Sequence, residues 1–202
     1  MADDDGRATA EALLGFLDDS PSPYHAAANA ARRLGDAGFT EVEETADWTT
    51  ALPDRWFVRR GGALVAAAWP SGLAPTTPVR IIGAHTDSPN LRLKPRPTTL
   101  VAGWQRVAVE VYGSPLLNSW LDRDLGLAGR VSVRRPGGPV VALVQLEGPV
   151  ARIPQLAIHL DREVNQSGLL LNPQQHLQPL WAPDGDPDVL HAVAAAVDAE
   201  VE

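Results

Sequence analysis

Apolar residues near the start of the chain recur with the period of an α-helix. Four of them between residues 10 and 17 follow the i, i+3, i+4, i+7 spacing, which predicts a first helix over about 9–17. Ser22 and Pro23 are typical of a helix start, because a serine oxygen accepts a backbone N–H and proline pre-sets the first turn. We therefore predict a second helix over about 24–34, ended by one of the two glycines that follow.

From about residue 55 onward, short apolar or alternating segments separated by turn residues predict a β-rich stretch. Glycine-containing turns between neighbouring segments predict two hairpins. A final segment, 187–202, has the helical period and carries Asp186 as a candidate cap. The predicted strands are 39–44, 56–60 and 63–69 around Gly61-Gly62, 91–94, 107–111, and 130–135 and 140–145 around Pro136-Gly137-Gly138.

The compact apolar run over residues 79–84 predicts a buried strand of a parallel sheet, and it delivers His85 at its C-terminal end. Binding sites of open α/β sheets collect at that edge. Asp87 follows two residues later, and a metal-ligating histidine usually has its second ring nitrogen held by a carboxylate or carbonyl. Residue chemistry alone leaves a choice between a metal site and an ordinary turn, and the turn is the commoner outcome.

A second candidate is the pair Asp122 and Asp124. Paired carboxylates can bind a metal or share a proton. The simpler interpretation, which the residue types favour, is a structural turn in which these acids neutralise Arg123 and Arg130.

The remaining candidates are mostly structural by their sequence context. His159 lies between apolar neighbours, which is typical of a core or interface histidine. We interpret His25, His176 and His191 as structural or solvated, since no ligand partner follows at helical spacing. The six tryptophans are scattered and predict no platform for bases. No phosphate-binding or nucleophile-elbow motif is present in the sequence.

The amino-acid composition limits the kinds of partner and of metal site that this protein can have. The 202 residues are 45% hydrophobic, enough for a core, and the net charge of −8 disfavours nucleic acid or an anionic membrane as partner. There are no cysteines, so any metal is held by His, Asp or Glu. We expect a cytoplasmic protein, because the sequence shows neither a secretory leader nor an apolar run of membrane-spanning length.

Taken together, these pieces resemble the M18 family of metallo-aminopeptidases, the aspartyl aminopeptidases. The resemblance covers nearly the whole chain but only the N-terminal portion of a family member. The stretches that carry it, in the family's order, are S-P-S-P-Y-H at 20–25, G-A-H-T-D-S-P-N-L-R-L-K-P at 83–95, V-E-V-Y-G at 109–113, W-L-D-R-D-L-G-L-A-G-R-V at 120–131 and R-I-P-Q-L-A-I-H-L at 152–160.

The resemblance implies an α/β fold: the first part of a catalytic domain over 1–89, then an incomplete β-rich inserted dimerisation domain over 90–202. It implies two zinc ions and removal of N-terminal, acidic residues from peptides by a metal-activated water. His85 is implied as a metal ligand, Asp87 as the residue that orients it, and His159 as a group that steadies substrate in a neighbouring subunit. The homo-oligomer would form through the insert.

In the family, the general base and the other metal ligands come after the inserted domain. This chain ends before them, so we expect a fragment that is inactive alone. Two alternatives stay open. One is a non-catalytic dimerisation or interaction module derived from such an enzyme, and the other is a split enzyme with a separately encoded second half.

Overall fold

The computed structural model describes residues 2–49, 52–69, 74 and 76–199. They divide into two units, Met1–Asp87 and Ser88–Glu202. The helices of the first unit are α1 (Ala2–Asp18) and α2 (Pro23–Asp36), and its strands are β1 (Thr40–Glu41), β2 (Arg55–Arg60) and β3 (Ala63–Ala68). The second unit contains strands β4 (Asn90–Val101), β5 (Trp104–Tyr112), β6 (Asp124–Leu125), β7 (Ala128–Arg135), β8 (Gly138–Gln145), β9 (Ala151–Arg152) and β10 (Leu180–Pro183), a 3₁₀ turn (Leu117–Trp120), and helices α3 (Val164–Ser167), α4 (Pro173–His176) and α5 (Val189–Ala195).

Both helices predicted for the first unit are confirmed, and α2 begins as its sequence indicates. Ser22 is the N-cap residue, and its Oγ accepts the backbone N–H of His25 at 3.4 Å. Ala27 and Ala31, four residues apart and thus on one helix face, are buried, and α2 contacts all three strands of the unit. This small-residue face lets the helix lie close to the sheet.

The sheet of the first unit has the order β1-β2-β3, with β1 parallel and β3 antiparallel to β2. The predicted hairpin is confirmed, and Gly61 turns it with a φ of +57°. The tryptophans are less scattered than predicted. Trp56, buried on β2, meets Trp48 and Trp69 edge-on, with ring centroids 5.3 and 5.6 Å apart. Such pairs add to the energy of simple burial.

The prediction of a buried strand over 79–84 is wrong. These residues have no regular secondary structure, and Ile81 and Ile82 are 88% and 97% exposed. A buried strand needs neighbours for its backbone N–H and C=O groups on both sides. Among the described residues, no strand pairs with this segment. The apolar pattern gives the segment a tendency to form a buried strand. Such a strand forms only where neighbouring strands are available to pair with it.

The main sheet of the second unit has the order β4-β5-β10-β9-β6. Antiparallel β4 and β5 are joined by Ala102-Gly103, both with positive φ, at 52° and 78°, as tight two-residue hairpin turns require. On one face of β5, Val107 and Val109 pack with Val189 of α5 as the buried core. The alternation of apolar residues along β5 therefore predicted its core face correctly.

Strands β7 and β8 form a separate two-stranded sheet, which confirms the second predicted hairpin. The last helix differs from its prediction. Asp188 rather than Asp186 caps it, because Asp188 Oδ1 accepts the backbone N–H of Leu190 and His191. The helix ends at Ala195, and residues 200–202 of the predicted span lie outside the described residues. No helix in the described part of the chain has the length and apolar character to cross a bilayer.

Candidate functional site

The His85 ring is held by the residue two positions further along the chain. Its Nδ1 lies 2.7 Å from the backbone oxygen of Asp87 and 3.3 Å from that residue's carboxylate Oδ1. Because a carbonyl oxygen only accepts hydrogen bonds, Nδ1 carries the proton and donates it. The lone pair of the neutral ring is then on Nε2, which has no partner among the described residues.

Two further features define the surroundings of His85. Thr86 Oγ1 donates to the backbone oxygen of Gly62 at 2.5 Å, which ties the His85–Asp87 segment to the turn between β2 and β3. The imidazole itself is 81% exposed. A histidine oriented by a carbonyl and a carboxylate, with its other nitrogen accessible, has the arrangement of a metal ligand.

The described residues do not complete a metal site around His85. Catalytic zinc normally has three protein ligands. Within the described ranges, no three His, Cys, Asp or Glu side chains lie close enough together to hold an ion. His85 is therefore suited to be one ligand of a site, and the part of the chain that the structure describes does not provide the others.

Asp122 and Asp124 both form ion pairs with an arginine, as the structural interpretation predicted. The arginine, however, is Arg152. Arg152 Nη1 lies 3.2 Å from Asp124 Oδ1, and Arg152 Nη2 donates to the backbone oxygen of Asp122 at 2.9 Å. The expected partners were Arg123 and Arg130. Arg152 takes this place because antiparallel pairing of β6 with β9 puts it directly opposite Asp124. A cation between the two acids disfavours a metal there.

His159 lies in an exposed turn, so the core alternative for this residue is wrong. The turn is closed by Leu160 N donating to Ala157 O at 2.8 Å. Its apolar neighbours are also exposed: Leu156 is 61%, Ile158 44% and Leu160 74% exposed. A short apolar loop that presents a histidine to solvent is consistent with the interface alternative, which stays a prediction.

The other three histidines have local partners. His25 shares a 2.8 Å hydrogen bond with Ser22 Oγ, and burial lowers its pKa. His176 Nδ1 accepts the backbone N–H of Asn172 at 3.0 Å. His191 Nδ1 lies 2.7 Å from Asp188 Oδ1, a pair that the sequence analysis missed although the i, i+3 spacing within a helical segment indicates it.

Comparison with known proteins decides the family. A sequence profile described as Aminopeptidase I zinc metalloprotease (M18) matches residues 16–191. The chain belongs to the M18 family of metallo-aminopeptidases. A probable M18 family aminopeptidase 2 of Streptomyces avermitilis is 58% identical over 174 residues, which are 86% of this chain and 39% of the relative. The chain thus spans well under half the length of this relative and corresponds to the N-terminal portion of M18 enzymes.

Solved M18 structures share the fold. The cryo-EM structure of the Ape4 and Nbr1 complex matches with a TM-score of 0.88 at 32% identity, covering 97% of this chain and 41% of that one. The S. cerevisiae mApe1 dodecamer matches with a TM-score of 0.76 at 26% identity, covering 95% and 45%. The predicted resemblance and α/β fold class are therefore confirmed.

Proposed function

We propose that this chain supplies the N-terminal part of a zinc aminopeptidase, with His85 as a ligand of one metal ion. The observation that carries the proposal is the hydrogen bond from His85 Nδ1 to the backbone oxygen of Asp87. It leaves the Nε2 lone pair accessible and fixes the ring orientation, as a metal ligand requires. Asp87 is in this proposal the residue that orients the His85 ring.

The proposed substrates are peptides, from which the enzyme removes N-terminal residues, acidic ones by preference. Membership of a family described as zinc metalloproteases supports a peptidase with zinc as its metal. Bound zinc, two ions in the proposed complete enzyme, supplies Lewis acidity toward a peptide carbonyl. In this proposal residues 1–89 belong to the catalytic domain, and residues 90–202 to the inserted domain.

We also propose that the enzyme is a homo-oligomer, and that His159 contacts substrate in a neighbouring subunit. The apolar loop 156–160 presents this histidine to solvent, where a second subunit could cover it. The similarity to an mApe1 dodecamer supports self-association. His159 is a positioning group for substrate here and holds no metal.

A chimera tests these roles in a complete enzyme. Residues 16–191 replace the matching segment of the Streptomyces avermitilis relative, and the 202-residue chain is assayed beside it. Assays measure the zinc content by mass spectrometry and the hydrolysis of N-terminal Asp and Glu p-nitroanilides. We expect turnover by the chimera and none by the 202-residue chain, with or without zinc or cobalt.

In the chimera, His85→Ala removes a proposed metal ligand. We expect it to lower the zinc content and to lower kcat by at least about 100-fold. His159→Ala is expected to lower turnover with zinc retained. His176→Ala, an exposed histidine bonded to a backbone N–H, is the matched control and should change neither. Equal zinc loss in the His85 and His159 variants would contradict this division of roles. A chimera without turnover would favour the non-catalytic interaction module.

A further inference from the structure

Asp122 has a backbone conformation that few side chains tolerate. Its φ is +52°, in the left-handed region, which aspartate and asparagine enter more readily than most residues other than glycine. Its backbone N–H donates to the backbone oxygen of Ile153 at 2.8 Å. A conformation of this kind persists only where the surrounding contacts hold it. At Asp122 these contacts come from the segment that follows β9.

The Asp122 carboxylate binds the beginning of the loop that carries His159. Its Oδ1 accepts the backbone N–H of Gln155 at 3.3 Å. The preceding residue, Pro154, has no N–H, so Gln155 provides the first backbone donor of the loop after Ile153. Asp122 therefore contacts this segment at two successive points, once through its backbone and once through its side chain.

The loop changes from buried to exposed close to this contact. Ile153 is 1% exposed and fixes the base of the loop. Residues 154–157 have no regular secondary structure, and the exposed turn that presents His159 follows them. The hydrogen bond between Gln155 and Asp122 thus lies between a fixed base and an exposed tip. A bond at this place limits the directions in which the tip can point.

We propose that Asp122 is a positioning residue for His159: its carboxylate fixes the path of the loop, so that His159 reaches substrate in the neighbouring subunit. The inference rests on the proposed function of His159 and goes beyond it by naming the residue that sets the position of that histidine. Asp122 itself touches no substrate and holds no metal. A displacement of about 1 Å in a positioning group can cost about 100-fold in rate, so one hydrogen bond near the base of the loop can affect turnover.

Hydrogen exchange of the full 202-residue chain, followed by NMR, tests the contact without requiring activity. Asp122→Gly removes the acceptor but still permits a positive φ, and we expect the Gln155 amide to exchange about fivefold faster. Asp122→Asn keeps an acceptor oxygen and tolerates the same φ, so exchange should stay within about twofold of the wild-type rate. Ser114→Ala is the matched control. Ser114 has a φ of +53° in the same unit, and its truncation should leave Gln155 exchange unchanged.

A double-mutant cycle in the chimera tests the consequence for turnover. Asp122→Gly is expected to lower kcat/KM by about tenfold with the zinc content unchanged. In the His159→Ala background the same substitution should change kcat/KM by less than about twofold, because the side chain through which it acts is no longer present. A role of Asp122 in general stability would instead lower kcat/KM equally in both backgrounds.

The outcomes separate this inference from the proposed function. Unchanged Gln155 exchange in a folded Asp122→Gly chain, faster exchange that persists in Asp122→Asn, or equal losses of kcat/KM in both backgrounds would each overturn the positioning role. Full turnover by the His159→Ala chimera would contradict the proposed function, and the exchange measurement would still show whether Asp122 holds the loop. Circular dichroism establishes that each variant is folded. Asp122→Ala also lacks the acceptor, and it replaces Asp122→Gly if that variant does not fold.

Discussion

Truncation of Ile82 to alanine is expected to change the free energy of unfolding of this chain by less than about 0.5 kcal/mol. Ile82 is 97% exposed. Complete burial of an isoleucine side chain stabilises a fold by about 1.5–3 kcal/mol relative to exposure. Only a few per cent of the Ile82 surface is covered, so its burial stabilises the chain by on the order of 0.1 kcal/mol.

Phe57→Ala is the buried counterpart in the same unit. Phe57 lies on β2 and is 4% exposed. Its truncation removes contacts and leaves a cavity, which costs about 3–5 kcal/mol. Urea unfolding of both variants and the wild type, followed by circular dichroism, compares the midpoints and slopes of the three transitions.

A cost of about 2 kcal/mol or more for Ile82→Ala would refute this reasoning, because it would mean that residues 79–84 are buried in the chain in solution. In the chimera with the Streptomyces relative we expect the opposite result. There, further sequence is available to pair with the segment, so the same substitution should lower the melting temperature by several degrees. Equal effects in the two proteins would show that the added sequence leaves the segment uncovered.

Two further predictions concern helix starts. Ser22→Ala is expected to lower the free energy of unfolding by about 1 kcal/mol, and Ser22→Gly by only a few tenths. Urea unfolding measures both effects, and equal costs for the two variants would argue against a capping role of Ser22. Burial raises the pKa of Asp188, but hydrogen bonds from His191 and Thr98 lower it more, so the net pKa is below its usual value. A depressed carboxyl pKa gives stability that is present above the unfolded-state pKa and lost as pH falls through the folded-state value. The unfolding midpoints of wild type and Asp188→Asn should therefore converge below about pH 4, and a constant difference would contradict this contribution.

The features predicted correctly from the sequence are those fixed by a few neighbouring residues. Ser22 and Pro23 determine the start of α2 through one hydrogen bond and one backbone angle. Gly61 adopts a positive φ that most residues avoid, and it sets the turn between β2 and β3. Each of these constraints acts within about four residues, so the local sequence is sufficient to predict it.

The errors concern features that depend on distant parts of the chain. Residues 79–84 have the pattern of a buried strand, but burial requires neighbouring strands that the described residues do not provide. The tryptophan contacts were missed for a related reason. Trp56 is paired with Ala67 across the hairpin, which puts Trp69 two residues along on the same face. The hairpin register, once derived from its turn, would have predicted this contact.

The candidate site also combines a feature fixed by neighbouring residues with one that depends on distant parts of the chain. The orientation of His85 depends on Asp87, two residues away, so the sequence motif was enough to predict the contact between them, and the metal role of His85 stays a prediction. The number of ligands around an ion is a property of tertiary assembly, because the other ligands must be brought from elsewhere in a folded protein. A single imidazole that is 81% exposed gains little from binding zinc against competing water. The motif thus specifies the orientation of one imidazole, and the proposed metal site depends on ligands brought from elsewhere in a folded protein.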